Sequence, residues 1–416
     1  MKITNWIYAM ILAAIFFTSC EKDDKNDKTK DTTVNGGNVS GIWEKNSTIT
    51  VMGHLQIPEG ESLTIEEGVT VLMSDTAAGQ EILVYGNLYC KGTEENPINI
   101  TVPENLRRSG NFPRIWSGII CAPSCKQVLL QYTNIGFTGY VTTEDSPSVL
   151  AGLYKAEAGE GIPALNFRNE TDGKLVIQHC TFYNLGEDGL YLEGGKYIIS
   201  NNLFYTQGET GGDAINLKSG SIADIAYNVV YSPNTNALKL SNSGDRIPQC
   251  NPICYNNTIV NAGWRRPTVK GGGVWLEKSV NAEVYNTLMI NCRFAVKFSD
   301  ADERCIYDYS YYYGYDQETV DQFQDGVKDV VKGVHDIAGT TAGDNDPMFV
   351  NYPLNTDKYN STFNTGWDFH VKTGSPVIAA GTNSFTRHFG TTGLTIDGVE
   401  YKSPAPSTTI GALETK

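Results

Sequence analysis

Two aspartates stand where chemistry could begin. Asp188 and Asp213 each precede a small residue and a short apolar–polar–apolar run, Gly189-Leu190-Tyr191-Leu192 and Ala214-Ile215-Asn216-Leu217. If these runs are successive repeats, the two carboxyls lie close together. Such a pair can share a proton as a glycosidase pair does, hold a cation such as Ca2+, or cap turns. Lys239, in the next run (Ala237-Leu238-Lys239-Leu240), adds an amine that could act as a base. The polar position of these runs carries Tyr191, Asn216 and, further on, Trp275. Aromatic faces of this kind stack on pyranose rings, and polar tips bond hydroxyls. Trp264-Arg265-Arg266, with Lys270 nearby, is an isolated basic–aromatic cluster. Arginine there can hold a carboxylate or sulfate through two bonds, or simply pair with local Asp and Glu.

Other chemistries find little support. The five histidines are scattered, and there is no P-loop or dinucleotide fingerprint. A net charge of −15 excludes a nucleic-acid partner, which requires a concentrated basic surface, and self-repulsion favours a monomer. Cys121 and Cys125, like Cys250 and Cys254, are spaced to close small disulfide loops, or to remain structural thiols.

The elements that must position these residues are written as a repeat. Val176 to Tyr183 returns as Ile198 to Tyr205, Asp224 to Tyr231, Ile253 to Val260, Glu283 to Ile290 and Cys305 to Tyr312, in steps of 22, 26, 29, 30 and 22 residues. The apolar–polar–apolar runs interleave with these copies, with further examples at Ala164 to Phe167, Gly273 to Leu276 and Ala295 to Phe298. Alternation with period two is a strand with one buried face. Short strands in a repeat of little more than twenty residues stack as a β-solenoid, each coil roughly 4.8 Å from the next. Asn202, Asn228 and Asn257 then form one ladder, and Phe182, Phe204, Val230, Ile259, Met289 and Tyr311 an inward column. Leu190, Ile215, Leu238, Val274 and Val296 point inward in the second strand. Asn166, Tyr191, Asn216, Lys239, Trp275 and Lys297 point outward, as do Arg168, Glu193, Lys218, Ser241, Glu277 and Ser299. That outer face is either a glycan platform or a solvated sheet in which Glu193 and Lys218 neutralise each other. Long connections at 136–161, 206–212 and 262–271 leave the first strand on one side and could wall it. A short helix is possible between Asp316 and His335.

Several stretches resemble known proteins. Glu66-Glu67-Gly68-Val69, Gly92 to Ile98 and Ile115 to Ile120 resemble the start of many Bacteroidota β-helix lipoproteins. Asp346 to Val350, Asp368 to Val371, Gly374 to Gly381 and Ile410 to Glu414 are similar to the closing cap of right-handed β-helix proteins of the pectate-lyase-like superfamily. The resemblance implies an all-β fold, a right-handed parallel β-helix with short N-terminal coils and a C-terminal cap. It leaves activity open, because that fold hosts lyases, hydrolases and binding proteins. The Gly-His-Gly and Arg-x-Lys of the polygalacturonase-like members are missing, which argues against a pectin hydrolase. A lyase would need a cation and a Lys or Arg base, which Asp188, Asp213, Lys239, Arg265 and Arg266 could supply.

The amino terminus reads as a signal. Lys2 precedes a 12-residue apolar run, Trp6 to Phe17, too short to span a bilayer. Phe17-Thr18-Ser19-Cys20 resembles a lipobox, and the charged stretch Glu21 to Lys30 resembles the surface-export signal of Bacteroidota lipoproteins. The expected organisation is a signal peptide (1–19), a flexible acidic tether lipidated at Cys20 (20–38) and one β-helix domain (39–416) whose cap region is 316–416. The expected protein sits in the outer membrane facing outward and binds a polysaccharide on its lateral face through Tyr191, Asn216, Trp275, Trp264, Arg265 and Arg266. Alternatives are a polysaccharide lyase, ranked ahead of a glycoside hydrolase, acting on an acidic glycan through Asp188, Asp213 and Lys239, or a purely structural or adhesive role.

Overall fold

Alternation with period two dominates the chain, and the computed structural model shows its consequence: three long parallel sheets that share one chain path. The structure describes residues 31–75, 79–107, 112, 114–209, 211–266, 271–324 and 326–416. The signal segment, Cys20, the charged stretch to Lys30 and Lys270 lie outside the described residues. Every third strand joins the same sheet. Sheet A has twelve strands, from Thr32–Val34 to Ile337–Ala338. Sheet B has eleven, from Gly37–Asn38 to Val330–Val331, and sheet C has ten, from Gly41–Trp43 to Ile306–Asp308. The chain runs A to B to C and rises one coil per circuit, a parallel β-helix. The first coil begins at Thr32, several residues inside the segment expected to be tether.

The ladder positions follow the sequence period closely. Leu190 pairs with Ile215, Ile215 with Leu238, Leu238 with Val274 and Val274 with Val296, all buried. Phe182 stacks on Phe204 with centroids 4.8 Å apart inside sheet A. One position is corrected. Met289 pairs with Tyr312, not Tyr311, so Tyr312 is the inward residue, and its hydroxyl donates to Asp336 at 2.9 Å.

Each turn from sheet C to sheet A is tight, with a residue at positive φ followed by the asparagine column. His179 (φ 56°), Asn201 (59°), Tyr227 (57°) and Asn256 (49°) take the left-handed position. The Asn202 amide donates to Asn228 Oδ1 at 2.9 Å and the Asn228 amide to Asn257 Oδ1 at 3.0 Å. The same amides reach the Ile177 and Ile199 carbonyls, so buried polar groups at the corner are satisfied coil to coil.

The expected cap divides in two. Residues 316–338 close the end of the core. Asp316 caps the short helix Gln317–Asp321, Phe323 packs into the interior, and Val330–Val331 closes sheet B by pairing antiparallel with Val296–Ser299. From about Asp346 the chain instead runs back along the flanks. Phe349, Tyr352, Trp367 and Phe369 pack with Tyr231 and Tyr313 on the outside of sheet A. Phe389, Leu394 and Ile396 cover Tyr89, Leu129, Val176 and Ile198 on the outside of sheet C. The eight described cysteines carry free thiols, seven of them buried, so the two short-loop disulfides are not formed. Among the described residues no helix is long and apolar enough to cross a membrane.

Candidate functional site

Sheets A and C have part of their outer faces under the returning chain, whereas sheet B is bordered by two connecting loops. The outward column runs as read from the sequence. Asn166 pairs with Tyr191, Tyr191 with Asn216, Asn216 with Lys239, Lys239 with Trp275 and Trp275 with Lys297. It is not an open, flat face, however. Tyr191 and Lys239 are half-buried, while Asn166, Asn216, Trp275 and Lys297 are buried. The long 136–161 connection brings Tyr154 edge-on to Tyr191, centroids 5.2 Å apart. Arg246, on the connection after the next sheet-B strand but one, reaches Glu193 at 2.6 Å.

The aspartates do come together, chiefly as caps. Asp188 Oδ1 accepts the backbone amides of Gly212 (3.0 Å) and Asp213 (2.8 Å), and its Oδ2 accepts the Asn216 amide at 2.9 Å. Asp213 repeats the pattern one coil on, accepting from Asn236 N at 2.9 Å, Asn236 Nδ2 at 2.7 Å and the Thr235 hydroxyl. The Asn216 amide bridges both carboxylates, at 2.9 and 3.2 Å. A Ca2+ site needs oxygen ligands turned toward a cation. Here the carboxylate oxygens face N–H and O–H donors, and no group of three metal-binding side chains occurs among the described residues. Asp188 and Asp213 therefore do not fit a calcium site. Burial and the neighbouring Asp213 raise the Asp188 carboxyl above the usual range.

Two titratable neighbours were not singled out from the sequence. Glu187 lies in the space between Gly161 and Gly211, where a β-carbon on either glycine would collide with its carboxyl. Burial first, then Asp188, push it up to about 7 against the opposing pull of Arg114 and Lys155. Lys218 is buried, and its ammonium lies 5.1 Å from the Tyr191 ring centroid. Burial and the nearby Lys239 lower its pKa, and Asp213, Asp188 and Glu277 oppose the shift. The sequence carried a signal for each: Glu187 adjoins Asp188, and Lys218 lies in the second outward column.

The Glu193–Lys218 neutralisation expected from the sequence is replaced. Glu193 takes Arg246 and the Asn166 amide, leaving Lys218 to the aromatic ring. Lys239 does not meet the aspartates; it lies 5.1 Å over Trp275 and 3.8 Å from Glu277. Lys297 is 4.3 Å from the Phe294 centroid. Three lysines of one face thus sit over three aromatic rings. Four buried polar atoms on this side, Asn216 Oδ1, Asn236 Oδ1, Arg168 Nε and Arg246 Nε, have no hydrogen-bond partner among the described residues.

The basic–aromatic cluster is corrected. Trp264 is buried and donates to the Asn291 carbonyl at 2.7 Å, with the Lys358 ammonium 4.1 Å from its centroid. Arg265 donates to the carbonyls of Gln207 (2.6 Å), Gly208 (2.7 Å) and Ser232 (2.8 Å) and lies over Phe112. Arg265 ties the chain at Gln207 and Gly208 to that at Ser232, Trp264 is tied to the turn at Asn291, and neither presents a ligand-binding fork. Arg266, half-buried, lends its carbonyl to Arg293.

Residues 159–310, the coils that carry this face, match the family model described as right handed beta helix region. The chain is a right-handed parallel β-helix. No curated protein and no solved structure matches it. The β-helix supplies a rigid row of outward side chains and leaves the chemistry to those side chains.

Proposed function

We propose that this β-helix binds an acidic polysaccharide along sheet B. The observation that carries the reading is the row of ammonium-over-ring pairs, Lys218 on Tyr191, Lys239 on Trp275 and Lys297 on Phe294, on one face of a chain with net charge −15. Aromatic rings pre-orient each ammonium, and uronate or sulfate groups of a glycan would add to the counter-charge that Glu277 and the aspartates already give Lys239 and Lys218. The partnerless Asn216, Arg168 and Arg246 atoms add polar groups for hydroxyls. Affinity electrophoresis in polygalacturonate, alginate, chondroitin sulfate and uncharged glucan tests this. Retardation by at least one acidic glycan, relieved by salt and weakened about fivefold or more by Lys239→Ala or Trp275→Ala, is expected for contacts of this strength. Equal retardation by the uncharged glucan, or indifference to both variants, overturns it.

A lyase reading draws on two groups near the aspartates: burial lowers the Lys218 pKa, and burial with Asp188 pushes Glu187 up to about 7. In β-elimination Lys218, once it has given up its proton, would take the proton α to the uronate carboxyl, the C–H electrons would form the C=C bond, and the β C–O bond would break. A protonated Glu187 would give its proton to the leaving oxygen. Growth of the ultraviolet absorbance of an unsaturated uronate on any acidic glycan distinguishes this from binding alone. The lipid anchor at Cys20, export to the outer face of the outer membrane and the monomeric state belong to the same proposal and rest on the amino-terminal sequence and net charge. Loss of membrane association in Cys20→Ala tests the anchor.

A further inference from the structure

A concavity of about 850 Å³ runs along the outer face of sheet A, a different sheet from the one that carries the lysine row. Its floor is laid coil by coil: Asn99 pairs with Asn134, Asn134 with Thr181 and Thr181 with Leu203. Beside them Tyr183 stacks on Tyr205 (5.8 Å, 29°), and Phe363 continues the stack onto Tyr205 (4.4 Å, 16°). The turn residues Tyr132 and His179, stacked at 4.6 Å, form one wall. The other wall is the returning segment 363–370, with Trp367 half-buried.

The lining chemistry is amide, hydroxyl and aromatic. The Asn134 amide donates to Asn99 Oδ1 at 3.0 Å, which leaves the Asn99 NH2 and the Asn134 side-chain oxygen without a partner among the described residues, both residues half-buried at the groove. The formal charges there are carboxylates, Glu94 and Asp368, and the second is engaged by His370 (2.5 Å) and Lys416 (2.8 Å). Lysine and arginine side chains are absent from the lining among the described residues. Desolvation keeps His179 below the usual imidazole range, so it supplies no fixed cation. A polyanion would meet Glu94 with no counter-charge, whereas an uncharged ligand with flat apolar faces and many hydroxyls matches every part of this surface. The volume is that of a pocket for a ligand of a few rings.

We propose that the sheet-A groove is a second glycan site, taking a neutral oligosaccharide whose ring faces lie against Tyr183, Tyr205 and Trp367 and whose hydroxyls bond Asn99, Asn134 and Thr181. It is independent of the acidic-glycan site on sheet B. Isothermal titration of the folded chain with cello-, xylo-, manno-, malto- and chito-oligosaccharides tests it. Saturable binding of at least one is expected, weakened about tenfold by Asn134→Ala and by Trp367→Ala and unchanged by Lys239→Ala. Trp367 also packs on Tyr231 and Tyr352, so its variant is read beside its melting temperature. Half-buried Asn134, whose side chain bonds only Asn99, gives the fold-neutral variant. No binding by any of the five, or binding that survives Asn134→Ala and falls with Lys239→Ala, overturns the site. Loss of acidic-glycan binding in Lys239→Ala with neutral binding intact separates the two faces.

Discussion

The Lys218 ammonium rests 5.1 Å from the centroid of Tyr191 on the preceding coil, in the face of two aspartates that are already occupied by backbone amides. A buried ammonium with no direct carboxylate bond is costly to the fold, because its desolvation is offset only by a cation–π contact of about 0.5–2 kcal/mol and the more distant pull of Asp213, Asp188 and Glu277. Lys218→Met is therefore expected to leave urea-unfolding stability unchanged or to raise it by roughly 0–2 kcal/mol, while weakening acidic-glycan binding. In a double-mutant cycle with Tyr191→Leu, the binding losses should be non-additive by about 0.5–1.5 kcal/mol. A destabilised Lys218→Met with normal glycan affinity would make the lysine a structural element.

Glu187 gives a pH dependence with a definite sign. Burial and Asp188 raise its folded pKa from 4.5 to about 7, so the folded state favours the protonated acid. The associated stability is fully present below the unfolded pKa, and it is lost as pH rises from about 4.5 through about 7. Glu187→Gln removes that loss. The variant should melt higher than the parent at pH 8, by roughly 1–3 kcal/mol of stability, and the gap should narrow toward pH 5. Melting curves at both pH values check this, and a constant gap would place the effect elsewhere.

Sheet B could be read from sequence because its strands alternate strictly and each run opens on a small residue, so Leu190, Ile215, Leu238 and Val274 declare their register. Register failed where alternation is erased: Tyr311, Tyr312 and Tyr313 offer three equal choices, and only packing selects Tyr312 for the core. The aspartate pair was legible as a pair, and its capping role follows from the open amides that each coil presents to the one before it. Lys218 reads from sequence as a lysine neutralised by Glu193, but the 242–248 connection delivers Arg246 to that glutamate instead. The sheet-A groove has no local signature. It exists because residues 363–370 return to pack on coils more than a hundred positions earlier, a relation that no period encodes.

Arg265 separates a wall residue from a binding residue. Its guanidinium bonds three carbonyls of two connections, and burial lowers it only to about 10, so it stays charged near neutrality. Arg265→Ala leaves those carbonyls without their donor and should cost roughly 2–4 kcal/mol in urea unfolding. Acidic-glycan affinity should stay within twofold or so of the parent under conditions where both are folded. A selective loss of affinity with normal stability would return Arg265 to the ligand site.

Asp224 is an acid on the outer face of sheet C, where its neighbours in the ladder are Ile198 and Ile253. It is buried because the returning chain lies over it. Its carboxylate accepts His388 N at 3.1 Å, Phe389 N at 2.8 Å and the Ser403 hydroxyl, and the hairpin of 394–396 and 399–401 lies between these anchors. Hydrogen bonds to a charged group contribute about 1.5–3 kcal/mol, and removing the acceptor strands two amides under the apolar cover. The coils themselves do not depend on it, since sheet C is already paired on both sides of the strand that carries Asp224. Asp224→Ala should therefore loosen the 385–403 arm without unfolding the helix. Trypsin cleavage at Arg387, whose guanidinium bonds the Ser403 carbonyl in the docked arm, should quicken by an order of magnitude or so while far-UV circular dichroism is retained. Asp224→Asn, which keeps an acceptor, should fall between the two. Unchanged cleavage at Arg387 in Asp224→Ala would show that the apolar contacts of Phe389, Leu394 and Ile396 hold the arm by themselves.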